Sequence, residues 1–159
     1  MAQTVRFGVI GLGMGALRCP VFASTAGAQL VAVSDLNETR GKNVAAQFNV
    51  EWYKDYRSLL DRKDIDVVVV MTPTGLHSDI AIAAAAAKKN VVVTKPLEVT
   101  IDRCRQIVTA CKQNNVILAV DYEMRYNPDN QKIYTALSKG ELGKLILTQV
   151  RLTWYRSQA

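Results

Sequence analysis

The sequence predicts an α/β fold, a parallel sheet wound on both faces by helices, and two observations carry that expectation. Short, unalternated runs rich in Val and Ile recur at Val5 to Ile10, Leu30 to Val33, Val67 to Met71, Val91 to Val93 and Val116 to Val120. Strands with this composition are buried on both faces, and helices on each side of a parallel sheet are what bury them. Between the runs lie stretches of helical character, so strand and helix alternate along the chain, the pattern of a doubly wound sheet.

The first run leads through a glycine-rich turn into a helix expected over Gly15 to Ala26. After the second run, Asn37 stands before Glu38-Thr39-Arg40 as a capping side chain, and a helix follows to Phe48. The third run precedes an alanine-rich helix, Ser78 to Lys89, whose small side chains let it lie close against a sheet. Thr100 caps a helix over Ile101 to Asn114, placed between the fourth and fifth runs. Beyond Asn127-Pro128 another helix is expected to about Lys139, then Gly140 and Gly143 punctuate the chain. Leu145 to Tyr155 reads as one long strand, which needs a neighbour for its backbone groups. The expected organisation is therefore a domain over residues 1–140, with 141–159 opening a second α/β domain that is otherwise missing, and self-association through the orphan strand.

Composition narrows the class. The chain has 159 residues, 49% of them hydrophobic and 21% charged, which suits a globular domain with a real core. The longest apolar runs fall well short of the roughly 18–20 residues of a membrane span. The N-terminus enters a strand without the regions of a secretory signal, so a cytoplasmic protein without a membrane partner is expected. The net charge is +6, but the basic residues, such as Arg57, Arg62, Lys88, Arg105 and Lys112, are dispersed without interleaved aromatics. That is a solvated surface rather than a nucleic-acid footprint. Cys19, Cys104 and Cys111 lack metal-ligand spacing, and free thiols without a role, with no metal site, are expected.

The turn Gly11-Leu12-Gly13-Met14-Gly15-Ala16 fits G-x-G-x-x-[G/A]. Gly11 permits the tight turn, Gly13 lets the backbone approach a pyrophosphate, and Ala16 is expected to let the helix pack close to the strand. Asp35 ends the second strand 24 residues after Gly11, where a carboxylate would accept hydrogen bonds from the adenosine ribose. This favours NAD, although Arg40 lies near enough in sequence to meet the 2'-phosphate of NADP. The same glycines also satisfy G-x-G-x-G, the pattern of S-adenosylmethionine-dependent methyltransferases, and residues further along must decide.

Those residues are Thr72-Pro73-Thr74-Gly75-Leu76-His77, then Thr94-Lys95-Pro96, then Asp121-Tyr122-Glu123-Met124-Arg125-Tyr126-Asn127-Pro128. Together with the glycine turn and Val33-Ser34-Asp35 they resemble the glucose-fructose oxidoreductase, inositol dehydrogenase and MocA family (Gfo/Idh/MocA) along the whole chain. The resemblance implies a Rossmann domain that binds NAD or NADP through Gly11, Leu12, Gly13, Met14, Asp35, Arg40, Thr72, Pro73, His77, Thr94, Lys95 and Arg125. It also implies a second domain that supplies most of a sugar or polyol pocket and mediates oligomerisation. Lys95, in the position of the family's Glu-Lys-Pro lysine, is the catalytic candidate, and Thr94 departs from the family's glutamate. His77 matches a histidine that shapes the cofactor loop, whereas the family's catalytic histidine would lie beyond residue 159. The completed protein would transfer hydride between nicotinamide and a sugar, inositol or related polyol. The chain by itself would be a dinucleotide-binding module without turnover.

Overall fold

The structure is a computed structural model and describes residues 4–153 and Tyr155. Six parallel strands form one sheet: β1 (Val5–Ile10), β2 (Ala28–Ser34), β3 (Glu51–Tyr53), β4 (Val67–Val70), β5 (Asn90–Thr94) and β6 (Leu118–Asp121), in the order β3-β2-β1-β4-β5-β6. The helices of this unit are α1 (Leu12–Gly15), α2 (Cys19–Ser24), α3 (Glu38–Phe48), α4 (Tyr56–Leu60), α5 (His77–Ala86) and α6 (Ile101–Asn114).

Two hydrophobic clusters, one on each face, explain why the strands do not alternate in sequence. Ile10, Val68 and Val70 join Leu59, Ile80, Ala84 and Ile107, drawn from α4, α5 and α6. Val9 and Val69, their immediate neighbours, point the other way and pack with Val33 of β2 and with Leu12, Cys19 and Val44, from α1, α2 and α3. Successive side chains of a strand face opposite sides, and here both sides are core. Ala81, Ala84 and Ala85 are fully buried, so the alanine-rich helix α5 does lie close against the sheet.

The expected helix over Gly15 to Ala26 is instead two short helices, α1 and α2. Pro20 has no amide to donate and is accommodated in the first turn of α2, which forces a fresh start there. β3 and α4 were not legible in advance: a three-residue edge strand carries no period, and α4 is little more than one turn, capped by the Asp55 carboxylate accepting from the Arg57 amide. Val116 closes α6 rather than opening β6. Asn115 takes a left-handed conformation (φ 55°) and the Val116 amide donates to the Cys111 carbonyl.

Tyr122 begins a second compact unit. It contains a 3-10 turn at Glu123–Tyr126 and helix α7 (Pro128–Ser138), whose first amides donate to the Asn127 side chain. The strand expected over Leu145 to Tyr155 is not formed: residues 145–153 carry no regular secondary structure, and Ile146 and Leu147 are 93% and 84% exposed. The apolar pattern suits a strand, but a strand forms only where a neighbour pairs its amides and carbonyls, and those residues have none here. Trp154, within that stretch, lies outside the described residues. No helix among the described residues is long and apolar enough to cross a membrane.

Candidate dinucleotide site

Because every strand runs the same way, β1, β2, β4 and β5 present their carboxyl ends at one edge of the sheet. The strand order reverses between β1 and β4, and it is outside the carboxyl ends at such a switch point that open α/β sheets take ligands. Gly11 follows β1 there with φ +90°, a conformation that side chains rarely adopt. A Cβ on Gly11 would stand 2.7 Å from the Thr72 amide nitrogen and 2.8 Å from the Met71 carbonyl carbon, so the turns after β1 and β4 touch backbone to backbone. Gly13 has open space where its side chain would be. Gly15 makes a close approach of helix to strand: its Cβ would lie 3.2 Å from Val9 Cγ1 and 3.3 Å from Met71 Cβ, and Ala16 packs on the same cluster. Leu12 is buried in the core beneath the turn, and Met14 is exposed above it.

Asp35 follows β2 with its side chain only 5% exposed. Its carboxylate accepts from the Leu12 amide (2.7 Å), the Asn37 amide (2.7 Å), and Arg40 through Nε (3.0 Å) and Nη2 (2.8 Å). Burial by itself would raise the carboxyl's pKa; the Arg40 and amide hydrogen bonds outweigh it and hold the group below the usual aspartate range. The Asp35 carbonyl in turn accepts from the Trp52 indole N–H at 3.1 Å.

The turn after β4 is fastened to the turn after β5. His77 is almost wholly buried; its Nε2 lies 2.8 Å from the Thr72 carbonyl oxygen, and its Nδ1 lies 3.1 Å and 3.3 Å from those of Pro96 and Leu97. Glu98, with no exposed side-chain surface, accepts from the amides of Ser78 and Val99 and from Arg103 Nε at 2.9 Å. Arg103 also donates to the Gly75 carbonyl at 3.1 Å. Three side chains thus clamp Thr72–His77 to Lys95–Glu98. Glu98 and Arg103 escaped the sequence reading; the only hint was a glutamate with an arginine five residues on, across a helix start, which is too common to single out.

On this platform Thr94 is half-buried at the end of β5, Lys95 and Pro96 are exposed, and the Lys95–Pro96 peptide bond is cis. Thr72 Oγ1 is buried without a hydrogen-bond partner, and Pro73 is exposed beside it. The first unit therefore brings Gly11, Leu12, Gly13, Met14, Asp35, Arg40, Thr72, Pro73, His77, Thr94 and Lys95 to one edge of its sheet. Arg125 belongs to the second unit, exposed, with its guanidinium 5.7 Å from the Tyr122 ring centre. No group of His, Cys, Asp or Glu among the described residues could hold a metal ion.

A glycine turn at the switch point, backed by a carboxylate one strand away, defines a dinucleotide-binding domain of the Rossmann class. The residues fit such a ligand: the space above Gly13 admits a phosphate to the backbone, and the Asp35 carboxylate stands beside it. The chain belongs to the Gfo/Idh/MocA family, matching its NAD-binding Rossmann-fold oxidoreductase domain over residues 5–122. It is 33% identical over 142 residues to myo-inositol 2-dehydrogenase of Thermotoga maritima, covering 88% of this chain and 42% of that protein. It is also 33% identical over 149 residues to the NAD(+)-dependent scyllo-inositol 2-dehydrogenase of Bacillus subtilis, covering 92% of this chain and 44% of that one. Among solved structures, the WlbA dehydrogenase of Bordetella pertussis, in complex with NADH and UDP-GlcNAcA, superposes with a TM-score of 0.84 at 27% identity, over 91% of this chain and 42% of that one. The chain thus spans less than half the length of the relatives it matches. The family decides the glycine turn in favour of an NAD-binding oxidoreductase domain, and the methyltransferase alternative has no support.

Proposed function

We propose that residues 1–140 form the cofactor-binding half of a dehydrogenase acting on a sugar, inositol or related polyol, and that 141–159 open the domain that completes the substrate pocket. The Asp35 carboxylate, packed against the Leu12 amide at the glycine turn, is the observation that carries the cofactor half of this reading. The polyol class rests on the two inositol dehydrogenases among the relatives.

In this reading the Gly13 and Met14 amides, in the first turn of α1 where helix geometry leaves donors free, hold the pyrophosphate. Asp35 accepts from the adenosine ribose. Thr72, Pro73 and Thr94 line the nicotinamide half, on turns that His77 and Glu98 keep in register. The cofactor supplies the hydride chemistry when bound. Lys95, exposed after β5, orients the substrate hydroxyl; as the neutral amine it accepts the proton that leaves on oxidation, and as the ammonium it returns that proton on reduction. Turnover also needs the partners of Lys95 in the second domain, so the chain alone is a binding module.

A thermal-shift titration with NAD+, NADP+ and S-adenosylmethionine tests the cofactor half. A nucleotide at 100 times its dissociation constant adds about 2.7 kcal/mol of stability. No shift with either nucleotide would overturn the reading.

A further inference from the structure

A carboxylate offers about four lone-pair positions to donors, and in Asp35 all four are taken. Oδ2 accepts from the Leu12 amide and Arg40 Nε; Oδ1 accepts from the Asn37 amide and Arg40 Nη2. Two of these donors cannot leave. The Leu12 amide belongs to the glycine turn and the Asn37 amide to the cap of α3, so releasing either would undo local backbone. The other two sit on a side chain that is 46% exposed and carried by a flexible stem. A ribose diol brings two hydroxyl donors, as many as the Arg40 side chain contributes.

We propose that Arg40 is a specificity-determining residue that occupies the ribose seat on Asp35 and must be displaced before NAD engages it. The inference rests on the dinucleotide reading above and deepens it. The exchange replaces two donors by two, so it is feasible, but the ion pair that is given up, half-exposed on its arginine side only, opposes NAD binding. The Arg40 backbone amide stays anchored to Asn37 Oδ1 at 2.9 Å, so the displaced guanidinium remains beside the ribose. There a 2'-phosphate would be a fitting partner for its planar fork. Arg40 therefore lowers NAD affinity, raises NADP affinity and narrows the preference between them.

The test is calorimetric titration of the 159-residue chain with NAD+ and NADP+, for the parent, Arg40→Ala and Arg40→Gln. Removing a pair whose arginine is half-exposed predicts NAD+ binding tighter by about two- to fivefold in both variants. Loss of one charge-assisted contact predicts NADP+ binding weaker by about tenfold. Equal or weaker NAD+ binding in the variants, with the parent still binding, overturns the inference and leaves the dinucleotide reading standing. A parent chain that binds neither nucleotide overturns both. An arginine that served only to steady α3 would weaken the two cofactors alike, so opposite movements are the signature. Arg40→Gln guards against a folding defect peculiar to the alanine variant, since it keeps a polar side chain in place.

Discussion

Gly41→Ala is expected to reverse the usual sign of a helix substitution. Gly41 lies inside α3, where replacing glycine by alanine ordinarily stabilises by about 1 kcal/mol. Here a Cβ would fall 2.0 Å from Nε1 and 2.2 Å from Cδ1 of Trp52, far inside van der Waals contact with the indole. The ring must move, which costs about 1–3 kcal/mol as overpacking. Its N–H then leaves the Asp35 carbonyl, at about 0.5–1.5 kcal/mol for the hydrogen bond. Against the helix-propensity gain, the net loss is about 0.5–3.5 kcal/mol. Urea unfolding followed by far-UV circular dichroism gives the stability change. Tryptophan fluorescence in a Trp154→Phe background, which leaves Trp52 the sole indole, reports the displaced ring. A variant as stable as its parent or more so, with unchanged Trp52 emission, would refute the argument.

Three further outcomes follow from the same geometry. Hydrogen bonds from Arg6, two from its guanidinium and one from its backbone amide, hold the Asp66 carboxyl below the usual aspartate range. Its contribution to stability is therefore present above the unfolded value near 3.9 and lost as pH falls through the folded one; Asp66→Asn should flatten the acid limb of a stability-versus-pH curve, and an unchanged limb would count against the pair. Burial pushes the Cys19 thiol up to about 11 and raises the buried Cys111 as well, whereas Cys104 is partly exposed. A thiol reagent is thus expected to modify one cysteine of the native chain quickly, identified as Cys104 by peptide mass mapping, and the other two only on unfolding. Exposed Leu145, Ile146, Leu147, Val150 and Leu152 are expected to make the isolated chain self-associate, and Ile146→Lys with Leu147→Lys to reduce that in light scattering.

What could be read in the sequence, and what could not, divides by the range of the interaction. β1, β4 and β5 were legible because Val and Ile in unbroken runs have one economical use, burial on both faces of a sheet. Asp35 was legible because its place depends on chain order alone, one strand and one helix after Gly11. Arg40 was legible as a neighbour but not as a partner, since nothing in the order of residues says that its guanidinium spans both carboxylate oxygens. The close approach at Gly15 was not singled out because the motif leaves that position open, and only the distance to Val9 and Met71 reveals it. The tail failed for a related reason. Its residues have strand character, but strand is a property of a pair, and the sequence holds only one member.

The clamp behind Lys95 shows why a site of this kind needs more than its motif. Lys95 stands on a turn that exposes it, and an exposed lysine on a free loop would sample many positions and assist none. His77 joins that turn to the one after β4 through backbone carbonyls, which orient without competing for substrate. Glu98 and Arg103 repeat the connection from the far side. Because the turn after β4 is itself in contact with Gly11, a displacement at Lys95 would be felt at the glycine turn. The turn that carries Lys95 and the glycine turn are thereby held in one frame. In the proposed dehydrogenase, hydride transfer would require that kind of fixed separation, because the barrier rises steeply when reacting groups drift by an ångström.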